Sequence, residues 1–332
     1  MAEITTAEIK EFLKKIQGRV ITLKDIRDEF NILRGTKSFD TVRNIMYQLI
    51  DQNIVKPTGR NDGSYKVIVQ VSPVKVFGVQ RQRREPFNLI FPKDFNTGME
   101  MDFAERIILR EGDLILITGV SNYGKTTMAM NFCGENIDLC PVLMGNEYTT
   151  PDCEPTPRFL NRLDAMGWVE WANGTGEDKF TLLPVREDYA EHIVKDRINI
   201  IDWINLDANM LYEISSVMDG IKKQIGKGIA IVCLQKGEGA GAGRGGQFTK
   251  DFTDCELSLD KLGEHETLLT IGKIKEYTGN VIGKTYGFSI TSGVKIGDFR
   301  EVKKCPACKG SGYKAGVKCD NCLGKKFIDK EP

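Results

Sequence analysis

The sequence predicts an α/β protein: a mainly parallel layered sheet with interleaved helices, a small helical module before it and a small cysteine-bearing module after it. Three observations predict this. Short apolar runs at 113–118, 141–144, 198–201 and 229–234 have the length of buried parallel strands and alternate with helical stretches such as Leu211 to Ile225. The first run leads directly into the glycine-rich loop Gly119-Val120-Ser121-Asn122-Tyr123-Gly124-Lys125-Thr126, after which Thr127 to Phe132 reads as the first turns of a helix. The chain then closes on two Cys-x-x-Cys pairs.

Bulk properties narrow the classes. A chain of 332 residues has room for about two domains. Lys+Arg and Asp+Glu each total 46, so a nucleic-acid surface must come from local clustering and not from a globally basic chain. No apolar run approaches the roughly 18 residues of a membrane span. The start, Met1 to Ile4, lacks the basic and apolar regions of a secretion signal, and the expected location is the cytoplasm. Disulfides are rare there, so Cys133, Cys140, Cys153, Cys233 and Cys255 read as buried thiols.

Taken in order, residues 3–16 carry a helical stripe of Ile4, Ile9, Phe12, Leu13 and Ile16. Thr22 caps a second short helix over 23–30. A third begins at Ser38 with Val42, Ile45, Met46, Leu49 and Ile50 on one face. Residues 54–57, a turn at 59–63 and an alternating strand over 64–71 follow. Three helices and a β-hairpin look like a winged helix-turn-helix over 1–71. Ser38, Thr41 and Arg43 then start the recognition helix, and Arg60 sits at the wing tip. Such modules serve as DNA readers and as protein-interaction modules, and the fold alone does not choose. Residues 72–100, with three prolines and the cluster Arg81-Gln82-Arg83-Arg84, read as a linker.

In the core, the loop and the helix N-terminus would cradle phosphate. Backbone N–H groups from Gly119 through Thr127 converge there, Lys125 reaches the β/γ-phosphates and the Thr126 hydroxyl binds Mg²⁺. Asp202, closing the run 198–201, reads as the Walker B carboxylate that supports Mg²⁺. Glu147 and Gln235 also stand at the carboxyl ends of predicted strands, where α/β sheets bind ligands.

On these motifs the stretch 101–298 resembles a RecA-type P-loop ATPase, most closely the branch of DnaB-type replicative helicases, RadA and KaiC. The resemblance implies a RecA-like fold, ATP with Mg²⁺ as cofactors, and Glu147 as the base that activates water. It makes Gln235 the sensor of the γ-phosphate, and Lys273 and Lys275 candidates for a finger reaching a neighbouring subunit's nucleotide. This chain has Lys275 where the family usually has arginine, which keeps the charge but loses the bidentate fork. The Gly-rich stretch 236–247 matches the loop that the family orders on single-stranded DNA, with Lys236, Arg244 and Lys250 as DNA contacts; the alternative is a flexible connector. A homo-oligomer, such as a hexameric ring, and replication or recombination proteins as partners are further implications.

Cys305, Cys308, Cys319 and Cys322 have the spacing of a tetrahedral zinc site, and the first half resembles the zinc repeats of DnaJ-type chaperones. The expected division is therefore 1–71, 72–100, 101–298 and 299–332. The expected function is a DNA-dependent, helicase-like ATPase of replication or recombination. The alternative is a nucleotide-gated regulatory or loading protein that unwinds nothing.

Overall fold

The computed structural model describes residues 4–59, 63–73, 85–204, 213–237, 240, 241, 243, 246 and 248–330. Arg60, the cluster 81–84, Leu211 and Arg244 lie outside the described residues. Two compact units divide at Gln82/Arg83.

The N-terminal unit holds helices α1 (Thr6–Lys15), α2 (Leu23–Glu29) and α3 (Lys37–Asp51) and strands β1 (Val20–Thr22), β2 (Val55–Pro57) and β3 (Ser64–Val67). Thr5 and Thr22 start the first two helices with reciprocal capping boxes to Glu8 and Asp25, so two orphan N-terminal donors are satisfied in each. The strands form an antiparallel sheet in the order β1-β3-β2. Only the hairpin is foreshadowed by sequence pattern; β1 is three residues long and carries no periodicity of its own. Ile9, Leu13, Ile26, Met46 and Leu49 fill the core between helices and sheet.

The larger unit is built on one ten-stranded sheet. Six strands run parallel: β9 (Cys255–Leu262), β4 (Leu114–Gly119), β8 (Ile229–Gln235), β7 (Ile198–Ile201), β5 (Val142–Met144) and β6 (Thr181–Leu183), in that spatial order. Beyond β9, strands β10 (Glu266–Ile274), β11 (Thr285–Thr291), β12 (Lys295–Lys304) and β15 (Phe327–Asp329) continue it antiparallel. The sheet is thus more mixed than the apolar runs suggested. Parallel strands covered on both faces are apolar throughout, whereas the antiparallel ones alternate and are harder to see in sequence. Within β4, Ile115 and Ile117 point into one core with Met128 and Phe132 of α4 (Lys125–Glu135). Leu114 and Leu116 point into the other with Met218 and Ile221 of α6 (Ile214–Gln224).

Two predicted boundaries move. Residues 85–100, read as linker, belong to the larger unit: Phe91 is buried and packs edge-on against Phe103 and Phe132. The carboxylate of the buried Asp94 accepts hydrogen bonds from the N–H groups of Asn96, Thr97 and Phe299. The boundary at 298/299 falls inside β12, which pairs with β15 from beyond the cysteines, so the cysteine module is an extension of the sheet. Cys140 and Cys153, expected to be buried, are exposed, the first just after the 3₁₀ helix Ile137–Leu139 and the second in a bend of the connection after β5; Cys133, Cys233 and Cys255 are buried. No helix among the described residues is long and apolar enough to cross a membrane.

Phe91→Ala tests the reassigned segment. It should destabilise the larger unit by about 3–5 kcal/mol, read from a urea midpoint, because a fully packed aromatic leaves a cavity. A change under about 0.5 kcal/mol would return the segment to linker status.

Candidate functional site

The loop after β4 is shaped by two close approaches. A Cβ on Gly119 would lie 3.0 Å from Lys125 Cγ and 3.1 Å from Leu259 Cβ, so only glycine lets the strand end pass between them. Gly124 sits at φ +89°, and a Cβ there would meet Ile290 Cδ1 at 2.7 Å. Helix α4 begins at the next residue and brings its free N–H groups to the loop. Lys125 Nζ donates to the carbonyls of Gly119 and Val120 at 3.1 and 3.0 Å.

The parallel register does the rest. Gly119 stands beside Gln235 on one side and Leu259 on the other, and Asp202 follows β7 immediately. A cavity of about 560 Å³ opens over these strand ends. Ser121 through Thr127 line it together with Glu147, Gln235, Trp203, Arg158 and Arg162. Asp202 is not on the lining but is buried beside Thr126 and Trp203, at 3 % exposure. Its Oδ2 accepts a 2.7 Å hydrogen bond from Tyr148 Oη, while Oδ1 is buried without a hydrogen-bond partner among the described residues. Burial pushes its pKa up, and Tyr148, the Thr126 hydroxyl and Lys125 pull against that rise. A buried carboxylate oxygen left unpaired is costly, and a divalent cation shared with Thr126 would satisfy it. The residues present therefore fit Mg²⁺.

Glu147 is exposed on the cavity wall, three residues beyond β5. Its backbone carbonyl accepts a 3.1 Å hydrogen bond from Thr156 Oγ1. The same Thr156 hydroxyl accepts from Phe159 N and so caps α5 (Pro157–Ala165). The cap ties the acid's segment to a helix whose Arg158 and Arg162, one turn apart, both face the cavity. Sequence reasoning missed these arginines because two cations on a partly exposed amphipathic helix look like a solvated face. His265 also lines the cavity, beside Glu264.

Other predicted residues are not brought here. Lys236 is 3 % exposed, and its Nζ binds Asp260 Oδ2 at 2.6 Å and Ser258 Oγ at 2.8 Å, so it is an internal ion pair and not an outward DNA contact. Lys250 pairs with the buried Glu256 at 3.0 Å. Lys273 Nζ donates to the Lys250 carbonyl, and Lys275 pairs with Asp254 at 2.5 Å. Burial pushes Asp254 up, but Lys222 and Lys275 hold its pKa below the usual carboxylate range. Asp254 bonds the N–H of Leu114, at the opposite end of β4 from the phosphate loop, on the order of 16 Å away along the strand. Lys273 and Lys275 therefore do not reach this chain's own cavity. Arg43 is exposed on α3.

The four C-terminal cysteines converge. Their Sγ atoms all lie within 4.8 Å of one another, with Cys305–Cys319 at 3.9 Å and Cys308–Cys322 at 3.7 Å. Ligands about 2.3 Å from a tetrahedral Zn²⁺ would stand about 3.8 Å apart, so the cluster fits zinc and excludes S–S bonds at these separations. The Asn321 amide donates to Cys305 Sγ at 3.2 Å and holds that thiol down to about 6, which favours the thiolate a metal needs.

The sequence matches no protein-family model and no curated protein. Among solved structures the chain is similar to the RadB recombinase, at 16 % identity over 57 % of this chain and 91 % of that one, with a TM-score of 0.41. It is also similar to a KaiC-like protein from the hyperthermophilic archaeon Pyrococcus horikoshii OT3, at 18 % identity over 63 % and 98 %, with a TM-score of 0.43. These are loose likenesses of fold, and the site residues carry the functional reading.

Elemental analysis tests the cluster. The purified protein should hold about one zinc per chain, and Cys308→Ser should reduce that to near zero. Full zinc in that variant would place the metal elsewhere.

Proposed function

We propose that the chain is a RecA-type ATPase that binds ATP with Mg²⁺ and hydrolyses it, acting on DNA as a helicase-like motor of replication or recombination. One observation carries the hydrolytic part: a phosphate loop, an acid on the facing wall and the end of β8 all open on one cavity, with a half-satisfied buried carboxylate behind it. The loop N–H groups and Lys125 hold the phosphates, and Thr126 and Asp202 hold Mg²⁺, which neutralises charge on the β- and γ-oxygens when bound. Glu147 takes a proton from the attacking water as its oxygen bonds to the γ-phosphorus and the bond to the β-phosphate oxygen breaks. Gln235 acts as the sensor of that phosphate, a reading supported by its register beside Gly119 at the end of β8. Arg158 and Arg162 supply positive charge from within the same chain.

The DNA-directed part rests on reading the N-terminal unit as a winged helix-turn-helix, which its order of elements supports, with Arg43 exposed on its third helix. Nucleotide between adjacent subunits of a homo-oligomer belongs to the same reading. A second reading, a nucleotide-gated regulator or loader without unwinding, is favoured by a specific observation. Lys236, Lys250, Lys273 and Lys275, the cations a motor would offer to a strand or a neighbour, are all engaged within the chain.

Glu147→Gln should keep ATP affinity within a few-fold and cut turnover by about 10²–10⁴; near-normal turnover removes Glu147 from the base role. Arg162→Ala should cut turnover by about 10²–10³ if its charge meets the transition state. An unchanged rate would make that arginine a bystander. Turnover with and without single-stranded DNA, run with a forked-duplex opening assay and a mass determination in nucleotide, separates the readings. Stimulation and strand opening are the motor's outcome; neither is the regulator's.

A further inference from the structure

The cysteine module presents a surface that the ATPase reading does not use. Between 303 and 326 the chain carries seven lysines (Lys303, Lys304, Lys309, Lys314, Lys318, Lys325 and Lys326) against one acid, Asp320. All are exposed. Lys325 pairs with Glu266, but none of the other six forms an ion pair with a described residue. Four thiolates on a zinc ion would add a net charge of about −2 inside, which leaves the exterior strongly positive.

An exposed aromatic ring stands on the same hairpin as Lys314 and Lys318. Tyr313 stands on β13 (Tyr313–Lys314), paired with β14 (Val317–Lys318), and is 59 % exposed. Lys318 is its direct cross-strand partner, so the two side chains share a face of the hairpin. Three glycines of the module lie under lysine stems. A Cβ on Gly312 would lie 3.3 Å from Lys326 Cγ, and one on Gly310 would lie 3.4 Å from Lys304 Cδ. One on Gly324 would lie 2.7 Å from Lys318 Cε. All three glycines have φ near +80°, and the lysine stems run over backbone that carries no side chain. Val317, paired with Lys314 on the opposite face of the hairpin, and Leu323 are also exposed, at 68 % and 67 %.

We propose that the hairpin 313–318 and the lysines around it bind single-stranded nucleic acid, with Tyr313 stacking on a base and Lys304, Lys318 and Lys326 meeting phosphates. The chemistry selects this partner. A ring face flanked by spaced ammonium groups matches alternating base and phosphate, and base faces are available only where the strand is unpaired. An acidic protein would need the lysines and would leave Tyr313 without a role. The surface is independent of the nucleotide cavity and of any motor activity.

The test uses the full-length, zinc-loaded chain and a fluorescent oligothymidylate, with anisotropy read across a salt series without nucleotide. Tyr313→Ala should weaken binding by about 5- to 150-fold, and Tyr313→Phe should restore it, since the ring face survives. Lys318→Ala with Lys326→Ala should flatten the slope of log K against log salt by about 1.4. Zinc content and basal ATP turnover should stay unchanged in every variant, which separates this surface from the ATP site. Unchanged affinity in Tyr313→Ala, or equal binding to a duplex with no effect of Tyr313, would overturn the proposal and leave an acidic surface as the partner.

Discussion

The structure depends on β4 being hydrogen-bonded on both edges and buried on both faces. A strand so placed has no freedom to slide, because a slip of one residue would send Ile115 and Ile117 into the wrong core. Its fixed register sets Gly119 beside Gln235 and Leu259, and β7 one strand further delivers Asp202. The cavity is therefore made by strands of unequal length ending together, and the loop is one of its walls. Parallel topology puts all these ends on one side of the sheet, the usual place for a ligand in such folds.

Charge is distributed with the same economy. The end of the sheet away from the cavity carries buried carboxylates, Asp254 and Glu256, and each is matched by lysines. Such carboxylates would be costly alone, so Lys222, Lys250 and Lys275 are better understood as partners of the interior than as contacts for something outside. Near the phosphate loop the balance is reversed. Arg158 and Arg162 make no ion pair with a described carboxylate, and they face the space a polyanion would fill. The lysines far from the cavity are thus internal counter-charges, whereas these two arginines are turned to the cavity.

The cysteine module continues this logic outward. Strands β12 and β15 lead into and out of it, so the cysteine cluster is anchored by sheet hydrogen bonds at both ends. A segment this short has no apolar core of its own, and its interior is the four sulfurs. With the sulfurs inside, lysines and one tyrosine are left to make the exterior.

The sequence by itself determined the phosphate loop, the apolar strands and the four cysteines. Each is a local pattern whose chemistry needs those residue types at that spacing. Asp202 and Gln235 were legible as strand ends, and Glu147 as an acid just beyond one, since apolar runs of that length among helical stretches read as strands. The antiparallel half of the sheet and the packing of Phe91 were not, because alternating or aperiodic segments declare nothing until their partners are known. Tertiary structure alone decided which cations are free. Lys236 looks like an outward contact in a glycine-rich stretch until Asp260 folds against it, and Arg158 and Arg162 look like surface charge until α5 is capped onto the segment that carries Glu147. Whether a charge is spent inside a protein or offered to a ligand depends on what lies across space from it, which the order of residues along the chain does not encode locally.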